Sequence, residues 1–243
     1  MAGGASQAGS APSSGGTSRA GSLWGSWVVA NALGELIGLG LTGAIAAAAV
    51  PVLPTLAGAG AVIGLLLAVA CGALVEGVSV GAAQWRVLRG AVVGIPRRSW
   101  IGATAAGAAV AWALGMLPST LMDQGVDVSA GAQEPSAAGL LLFTILMGIV
   151  AGSILAAPQW AVLRRHLPQA GWWIPFNAAA WAVGMPIAFR AVSAVMDSQG
   201  SLPGLLTASA YLLATGAAVG AVHGLGLVWL VRRQNVGVPA GTH

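Results

Sequence analysis

Six long apolar segments, separated by short polar stretches, dominate the hydrophobic pattern of the chain. A helix of about 20 apolar residues spans the roughly 30 Å hydrocarbon core of a bilayer, and each segment reaches that length. The runs are continuous and not alternating, so they predict helices and not strands. The pattern therefore predicts an all-α membrane protein whose six transmembrane helices occupy residues 23–233. The segments lie at about 23–50, 57–84, 100–121, 137–163, 172–194 and 204–231.

The two ends of the chain differ from this apolar region. Residues 1–22 are rich in Gly, Ser and Ala without an apolar period, which is typical of a disordered tail, and residues 234–243 form a short C-terminal tail. The first apolar run ends in Ala-Ile-Ala-Ala-Ala-Ala-Val, which is similar to a signal-peptide cleavage region. That run is 28 residues long, contains Asn31 and Glu35 and matches later segments. We therefore expect it to be retained as a span.

Composition agrees with a membrane protein, and the distribution of charge predicts its orientation. Only 7% of residues are charged and the mean hydropathy is +0.84, whereas a soluble domain carries about 25% charged residues. Nine of the ten arginines flank alternate ends of the spans, so the net charge of +4 reports topology and predicts no nucleic-acid binding. The positive-inside bias predicts an inner (cytoplasmic) membrane protein with both termini in the cytoplasm. The nine are Arg19, Arg86, Arg89, Arg97, Arg98, Arg164, Arg165, Arg232 and Arg233.

A two-helix hairpin recurs three times, at about residues 24–95, 96–168 and 169–233. The even spans carry Gly77-x6-Gln84-Trp85-Arg86-Val87-Leu88-Arg89, Gly152-x6-Gln159-Trp160-Ala161-Val162-Leu163-Arg164 and a degenerate Gly216-x6-His223 with Leu227. The odd spans carry Trp27 with Asn31, Trp100 with Thr104 and Trp173 with Asn177, at intervals of 73 residues. Before the next shared tryptophan, Trp112 against Trp181, the middle copy holds four extra residues, about one helical turn. Each hairpin returns to the same side, which predicts three parallel copies about a pseudo-threefold axis along the membrane normal.

The QW-x-V-L-R…W hairpins resemble those of uncharacterised bacterial multi-pass integral membrane proteins with similar repeats. The resemblance covers about residues 24–233, and the QWxVLR pieces are its most specific part. It implies a bacterial multi-pass membrane protein and implies no activity, cofactor or site residue. The last copy departs from the pattern, with His223-Gly-Leu-Gly where Gln-Trp stands in the others.

Polar side chains at equivalent positions of the repeats form a candidate interhelical ring. They lie at similar depth, so a hydrogen bond between hairpin partners is expected, worth about 0.6 kcal/mol and up to roughly 1.7. The functional alternative is a ring that binds a polar ligand. A lone His in a span could also ligate haem or chlorophyll, although here it replaces a Gln. The ring consists of Asn31, Thr104, Asn177, Gln84, Gln159 and His223.

Two acids inside the spans, Glu35 and Glu76, break the repeat and are candidate titrating sites. A charged side chain near the bilayer centre costs roughly 2.5–3.5 kcal/mol, and desolvation favours the neutral acid. The structural alternative is a neutral carboxyl bonded to a neighbouring helix, or an ion pair between Glu76 and Arg190. The scattered histidines and the single Cys71 predict no metal site.

Tryptophans and glycines have predicted structural roles. Three small-xxx-small pairs, Gly77/Gly81, Gly148/Gly152 and Gly216/Gly220, are expected to bring helices close together, and a glycine-lined pore is the alternative. Trp112 and Trp181 lie deeper and are expected to pack between helices. The eight other tryptophans are expected to form an interfacial anchor belt: Trp24, Trp27, Trp85, Trp100, Trp160, Trp172, Trp173 and Trp229.

These features favour a structural or interaction protein that packs in the membrane with itself or as an accessory subunit of a membrane complex. The first alternative is a proton- or cation-linked channel or transporter that uses Glu35 and Glu76. The second is a pigment- or haem-binding subunit that uses His223. No catalytic constellation or nucleotide fingerprint is recognisable, so we expect no enzyme activity. A polar, water-filled axis faced by both glutamates would favour permeation, and a dry axis packed by Ala, Gly and Leu would favour the structural role.

Overall fold

The computed structural model describes residues 15–123 and 136–236, and all the regular structure within these ranges is helical. Six helical segments of the described residues are long and apolar enough to cross a membrane. The prediction of an all-helical chain with six candidate membrane spans is therefore confirmed. In chain order, spans one to six are Ala20–Ala49, Gly60–Ala91, Arg97–Met122, Ala137–Leu163, Ala170–Asp197 and Leu202–Gln234.

Seven α-helices build these spans. Span one is α1 (Gly15–Ala49), and a 3-10 helix (Leu53–Ala59) follows it. Span two consists of α2 (Gly60–Cys71), a π-helical segment (Gly72–Gly77) and α3 (Val78–Ala91). Spans three and four are α4 (Arg97–Asp123) and α5 (Ala137–Leu163). Span five is a 3-10 turn (Ala170–Trp172) followed by α6 (Trp173–Asp197), and span six is α7 (Leu202–Val236).

The two predicted tails and the connection between α4 and α5 lie partly or wholly outside the described residues. The first helix begins at Gly15, inside the segment 1–22 that was predicted to be a tail. Residues 1–14 and the tail residues 237–243 lie outside the described residues. The acidic connection with Asp127 and Glu134 does so as well.

The six spans form a closed ring. Each span packs against the next one along the chain, and α7 packs against α1. The connections 92–96 and 164–169 lie at one end of this ring, which we call the arginine end because Arg86, Arg89 and Arg164 lie at it. The end of α7 lies there too, since Gln234 Nε2 donates to the carbonyl oxygen of His166 at 3.4 Å.

The first helix shows how the ring sorts its side chains. Its outer face carries Val29, Leu33, Ile37 and Leu41, which are 57%, 49%, 51% and 53% exposed. Its inner face carries residues that are at most 5% exposed: Trp27, Asn31, Glu35 and Thr42. Apolar side chains thus face outward and polar ones inward, the reverse of a soluble protein. This arrangement suits lipid, because hydrocarbon solvates the outer face and the polar groups can bond to one another inside.

Glycines allow the spans to meet at backbone contact. In each of the three small-xxx-small pairs, a Cβ added to either glycine would lie within 3.1 Å of backbone or side-chain atoms of a neighbouring span. Real Cβ atoms essentially never lie within 3.0 Å of such atoms, so a side chain at five of these positions would force the spans to shift, while Gly81, with its nearest atom at 3.1 Å, is only tight. Each even span meets the following odd span in this way, and the sixth meets the first. An added Cβ would lie 2.5 Å from Ala105 Cα at Gly77 and 2.5 Å from the Asn31 carbonyl oxygen at Gly216, and it would lie closest of all to the Trp181 carbonyl oxygen at Gly148.

Candidate functional site

A small cavity lies inside the ring, and all six spans contribute to its wall. Its volume is ≈ 20 Å³, and a water molecule needs about 10–15 Å³ on this measure, so there is room for about one water. The interior at this level is polar, and both glutamates face it. We call this space the central cavity. Its polar lining residues are Asn31, Glu35, Glu76, Gln84, Thr104, Asn177 and His223.

The polar residues predicted from the repeat lie together at the central cavity or beside it. Gln84 Nε2 donates to Asn31 Oδ1 at 2.8 Å, which joins the two spans of the first hairpin. Gln159 Nε2 donates to Thr104 Oγ1 at 2.9 Å, which joins the two spans of the second. Gln159 Nε2 also lies 3.3 Å from Gln84 Oε1, so that the fourth span reaches the second across the interior. The structure thus brings these side chains together, and a role as a ligand-binding ring stays a prediction.

One local hydrogen bond is made in the same way in all three odd spans. In each, the polar side chain donates to the carbonyl oxygen of the tryptophan four residues earlier. Such bonds back to the preceding turn satisfy a donor within the helix itself. They also hold each polar side chain on the same inward face as its tryptophan. The donors and acceptors are Asn31 and Trp27 at 2.8 Å, Thr104 and Trp100 at 3.0 Å, and Asn177 and Trp173 at 2.9 Å.

Trp27, Trp100 and Trp173 form a buried cluster between the central cavity and the arginine end, which we call the tryptophan cluster. All three are 0% exposed, and Trp173 meets Trp27 and Trp100 edge-on at centroid distances of 6.0 and 6.2 Å. The prediction that they belong to an interfacial belt is therefore wrong for these three, because they have no surface to offer to headgroups. The four-residue spacing between each tryptophan and the polar residue after it indicates burial, and the interpretation did not use it. Residues four apart share a helix face, so each tryptophan faces the same way as a buried polar residue.

The indole groups of the tryptophan cluster differ in their partners. Trp27 Nε1 donates to His223 Nδ1 at 2.7 Å, and Trp173 Nε1 donates to Gln159 Oε1 at 2.9 Å. Trp100 Nε1 is buried without a hydrogen-bond partner. Trp27 in span one thus bonds to span six, and Trp173 in span five bonds to span four.

A layer of leucines completes the apolar seal at the arginine end. Leu88, Leu163 and Leu227 each lie four residues beyond Gln84, Gln159 or His223, and each is 0% exposed. With the tryptophan cluster they belong to one continuous apolar core. Sequence reasoning used these leucines only to align the repeats and missed their role in closing the interior.

At the arginine end the arginines of the QWxVLR pieces are exposed, whereas their tryptophans are partly buried against the apolar core. The Arg164 guanidinium lies 4.9 Å from the centre of the Trp160 ring, and Arg89 lies 5.2 Å from that of Trp85. Arg97 also contacts Trp85, at 5.7 Å. Cation–π attraction of this kind holds arginine against indole. In this motif the Gln faces inward and the Leu closes the interior. The Trp and the last Arg stack on each other at the arginine end.

The two intramembrane glutamates are buried beside each other. Glu35 is 2% and Glu76 is 6% exposed, and a Cβ on Gly38 would lie 2.8 Å from Glu76 Cα, so α1 runs directly against the turn that carries Glu76. Glu76 Oε2 accepts a hydrogen bond from Trp112 Nε1 at 2.5 Å. Glu35 Oε2 is buried without a hydrogen-bond partner.

The suggested ion pair between Glu76 and Arg190 is not formed. Arg190 is exposed, whereas Glu76 is buried and faces the central cavity. The partner of Glu76 is the Trp112 indole. Sequence reasoning assigned Trp112 to packing between helices and missed this hydrogen bond.

His223 is packed as a core residue. It is 1% exposed, and its ring lies 5.6 Å from that of Trp27 and 5.4 Å from that of Trp173. Its Nδ1 accepts the Trp27 hydrogen bond, and a haem or chlorophyll at this position would have to displace both indoles from the core. Pigment or haem binding at His223 stays a prediction.

The chemistry of this arrangement is that of buried acids. Two carboxyl groups can accept, hold and release a proton or a cation within one cavity, and the Gln, Asn and Thr side chains around them are largely engaged with one another. The described residues contain no group of three or more His, Cys, Asp or Glu that could hold a metal ion. No protein-family model, curated protein sequence or solved structure matches the chain. Assignment of a function therefore depends on the central cavity itself.

Proposed function

We propose that the protein is a proton- or cation-linked channel or transporter, with the interior of the ring as its pathway and Glu35 and Glu76 as its titrating sites. The observation that carries this proposal is the pair of carboxyl groups, on adjoining spans, that face the same central cavity. An acid at this depth is costly to insert, by roughly 2.5–3.5 kcal/mol when charged. Intramembrane acids that face a bundle interior mark ion and proton pathways. In a purely structural bundle these acids would serve as hydrogen-bonding groups between helices, and Glu35 Oε2 makes no such bond.

The closed arginine end supports an occluded state of such a pathway. The tryptophan cluster and the layer of Leu88, Leu163 and Leu227 separate the central cavity from that end. Access from there requires these side chains to move apart. A binding site in the middle of a bundle with a removable barrier is the arrangement that alternating access uses.

The proposed topology follows from the same parts of the molecule. We propose three parallel hairpins about a pseudo-threefold axis, in a bacterial inner membrane, with the arginine end and both termini in the cytoplasm. Support comes from three recurrences: the bond from Asn31, Thr104 or Asn177 to a tryptophan carbonyl, the glycine contact between successive hairpins, and the leucine layer. The positive-inside bias supports the orientation.

Flux through proteoliposomes tests the proposal. The purified protein is reconstituted with a pH-sensitive dye trapped inside, a membrane potential is imposed, and proton, Na⁺ and K⁺ movements are recorded. We expect flux in the parent protein above that of protein-free liposomes. Glu35→Gln and Glu76→Gln should each lower it at least about a hundredfold, the low end of what positioned acid–base groups contribute.

Asp197→Asn is the matched control, because Asp197 is an exposed carboxylate at the end of α6. This variant should carry parental flux, and circular dichroism should show equal helix content in all four proteins. Parental flux in both glutamine variants would refute the proposal. A parent protein with no flux would refute it as well, and would return the structural role to first place.

A further inference from the structure

Glu35 and Glu76 have different hydrogen-bond environments although they face the same cavity. Glu76 Oε2 receives the Trp112 indole N–H, a donor that suits an ionised carboxylate because hydrogen bonds to charged acceptors are the stronger ones. Glu35 Oε2 is buried and receives no donor. A buried carboxylate oxygen without a donor is costly to keep charged, whereas a protonated carboxyl carries its own donor. We propose that the cargo of the central cavity is a proton, which Glu35 carries, while Trp112 holds Glu76 as the carboxylate.

The fold builds the Trp112–Glu76 contact with two local irregularities. Glu76 lies in the π-helical segment Gly72–Gly77, and π-bulges within α-helices are frequent at functional sites. The Trp112 ring packs on Gly72, where an added Cβ would lie 2.1 Å from Trp112 Cδ1. Any side chain at residue 72 would therefore displace the indole. Trp112 is accordingly the positioning residue of Glu76.

The four extra residues of the middle repeat explain why this indole reaches Glu76. Trp181 lies eight residues after Trp173, whereas Trp112 lies twelve after Trp100. One additional helical turn sets Trp112 about 6 Å deeper. The position eight residues after Trp100 is Ala108, a small side chain that lines the central cavity.

The size and polarity of the cavity favour a proton over a metal cation. A space of ≈ 20 Å³ has room for about one water, and hard cations require several oxygen ligands. Two of the neighbouring oxygens, Asn31 Oδ1 and Thr104 Oγ1, already accept hydrogen bonds from the glutamine amides. A proton needs one carboxyl oxygen and one acceptor, and the cavity offers both.

The charge of the site follows from the groups that face Glu35. Span two contributes Glu76 to the wall and span six contributes His223. His223 Nδ1 accepts the Trp27 hydrogen bond, so its imidazole does not carry a second proton. The proposed step starts from protonated Glu35 and ionised Glu76. The O–H bond of Glu35 breaks and one forms on Glu76, directly or through the one water for which there is room, which leaves Glu35 as the carboxylate. The pair keeps a single negative charge throughout.

The inference rests on the proposed function and has its own readout, the infrared carbonyl stretch of a protonated carboxylic acid. Spectra are recorded in H₂O and D₂O with the full-length protein in a maltoside detergent, which has no ester carbonyl. We expect a D₂O-sensitive acid band at neutral pH that Glu35→Gln abolishes and Glu76→Gln retains. Trp112→Phe should add a second acid band, because Glu76 loses its donor. Trp172→Phe, which changes an exposed indole, and Asp197→Asn should leave the spectrum unchanged.

Three results would overturn the inference: an acid band that survives Glu35→Gln and is lost in Glu76→Gln, no acid band at all, or a Trp112→Phe spectrum equal to that of the parent. Flux identifies the cargo separately. Proton flux should be unchanged within about twofold when Na⁺ and K⁺ are replaced by choline. Glutamate-dependent Na⁺ or K⁺ flux without proton flux would refute the inference and leave the proposed function standing, whereas absence of all flux would refute the proposed function.

Discussion

Replacement of His223 by Gln or by Leu tests whether the sixth span uses the same hydrogen bond as the fourth. Trp27 Nε1 donates to His223 Nδ1 at 2.7 Å, and Trp173 Nε1 donates to Gln159 Oε1 at 2.9 Å. His223→Gln offers Trp27 the acceptor that Gln159 offers Trp173. His223→Leu keeps a similar volume and removes the acceptor. The two variants therefore differ mainly in one hydrogen bond.

The expected difference follows from the burial of this bond. Both partners are at most 1% exposed, so in His223→Leu the Trp27 N–H has no access to water. An unsatisfied buried donor costs about 1–3 kcal/mol in soluble proteins, and hydrogen bonds between membrane helices average about 0.6 and reach about 1.7 kcal/mol. We expect His223→Leu to lower the free energy of unfolding by about 1–2 kcal/mol, near the top of the membrane range. His223→Gln should stay within about 0.5 kcal/mol of the parent, as expected when a bond is replaced by an equivalent one.

Equilibrium unfolding in mixed micelles of dodecyl sulfate and maltoside, followed by circular dichroism at constant detergent composition, measures these differences. The same substitutions in a Trp27→Phe background complete a double-mutant cycle. In that background the donor is gone, so the Leu and Gln variants should become nearly equal. Equal destabilisation by Gln and Leu in the parent, or a coupling energy of zero with Trp27, would refute the reasoning.

Two further pairs of substitutions test the packing of the ring and one buried hydrogen bond in the same unfolding assay. Gly216→Ala should destabilise the protein by about 1–2 kcal/mol, because overpacking costs about 1–3 kcal/mol and the better helix propensity of Ala returns up to about 1; its Cβ would lie 2.5 Å from the Asn31 carbonyl oxygen. Gly102→Ala, where nothing lies within 4 Å, is the control and should be neutral or stabilising, and an equal loss in both would contradict the proposed contact. Trp100→Phe should cost less than Trp173→Phe, by about 1 kcal/mol for one hydrogen bond, because Trp100 Nε1 has no partner and Trp173 Nε1 has one. The opposite ranking would show that Trp100 is bonded in solution.

The six spans could be predicted from the sequence because length and apolarity alone decide them in lipid. All six predicted segments overlap the observed ones, with ends displaced by at most three residues except in span two, which ends at Ala91, seven residues beyond the predicted end. The contacts of Gln84 with Asn31 and of Gln159 with Thr104 could also be predicted from the sequence. Equal offsets within a repeat put these side chains at equal depth, and each pair belongs to one hairpin.

The direction in which a tryptophan points could not be predicted from its type. Indole suits a headgroup boundary and a packed interior equally well, so the position of Trp27 near a span end suggested an anchor. The deciding signal was angular, since Trp27 and Asn31 share a face and a polar face in a membrane bundle points inward. The π-helical turn at Gly72–Gly77 has no local sequence signature. It arises where Trp112 packs on Gly72, a contact between two different hairpins.

The interior keeps the repeat in some layers and departs from it in others, and the difference separates scaffold from site. At the layer of Leu88, Leu163 and Leu227 all three repeats carry the same residue, fully buried. Eight residues beyond the tryptophans the three repeats carry an acid, a small residue and a large one: Glu35, Ala108 and Trp181, all of which line the central cavity. Packing alone explains a repeated leucine. It does not explain a layer in which Trp181 fills the interior, Ala108 leaves it open and Glu35 places a carboxyl group there. The repeated layers can therefore keep the ring closed while this unequal layer, together with the Glu76 turn, holds the two carboxyl groups on which the proposed proton site depends.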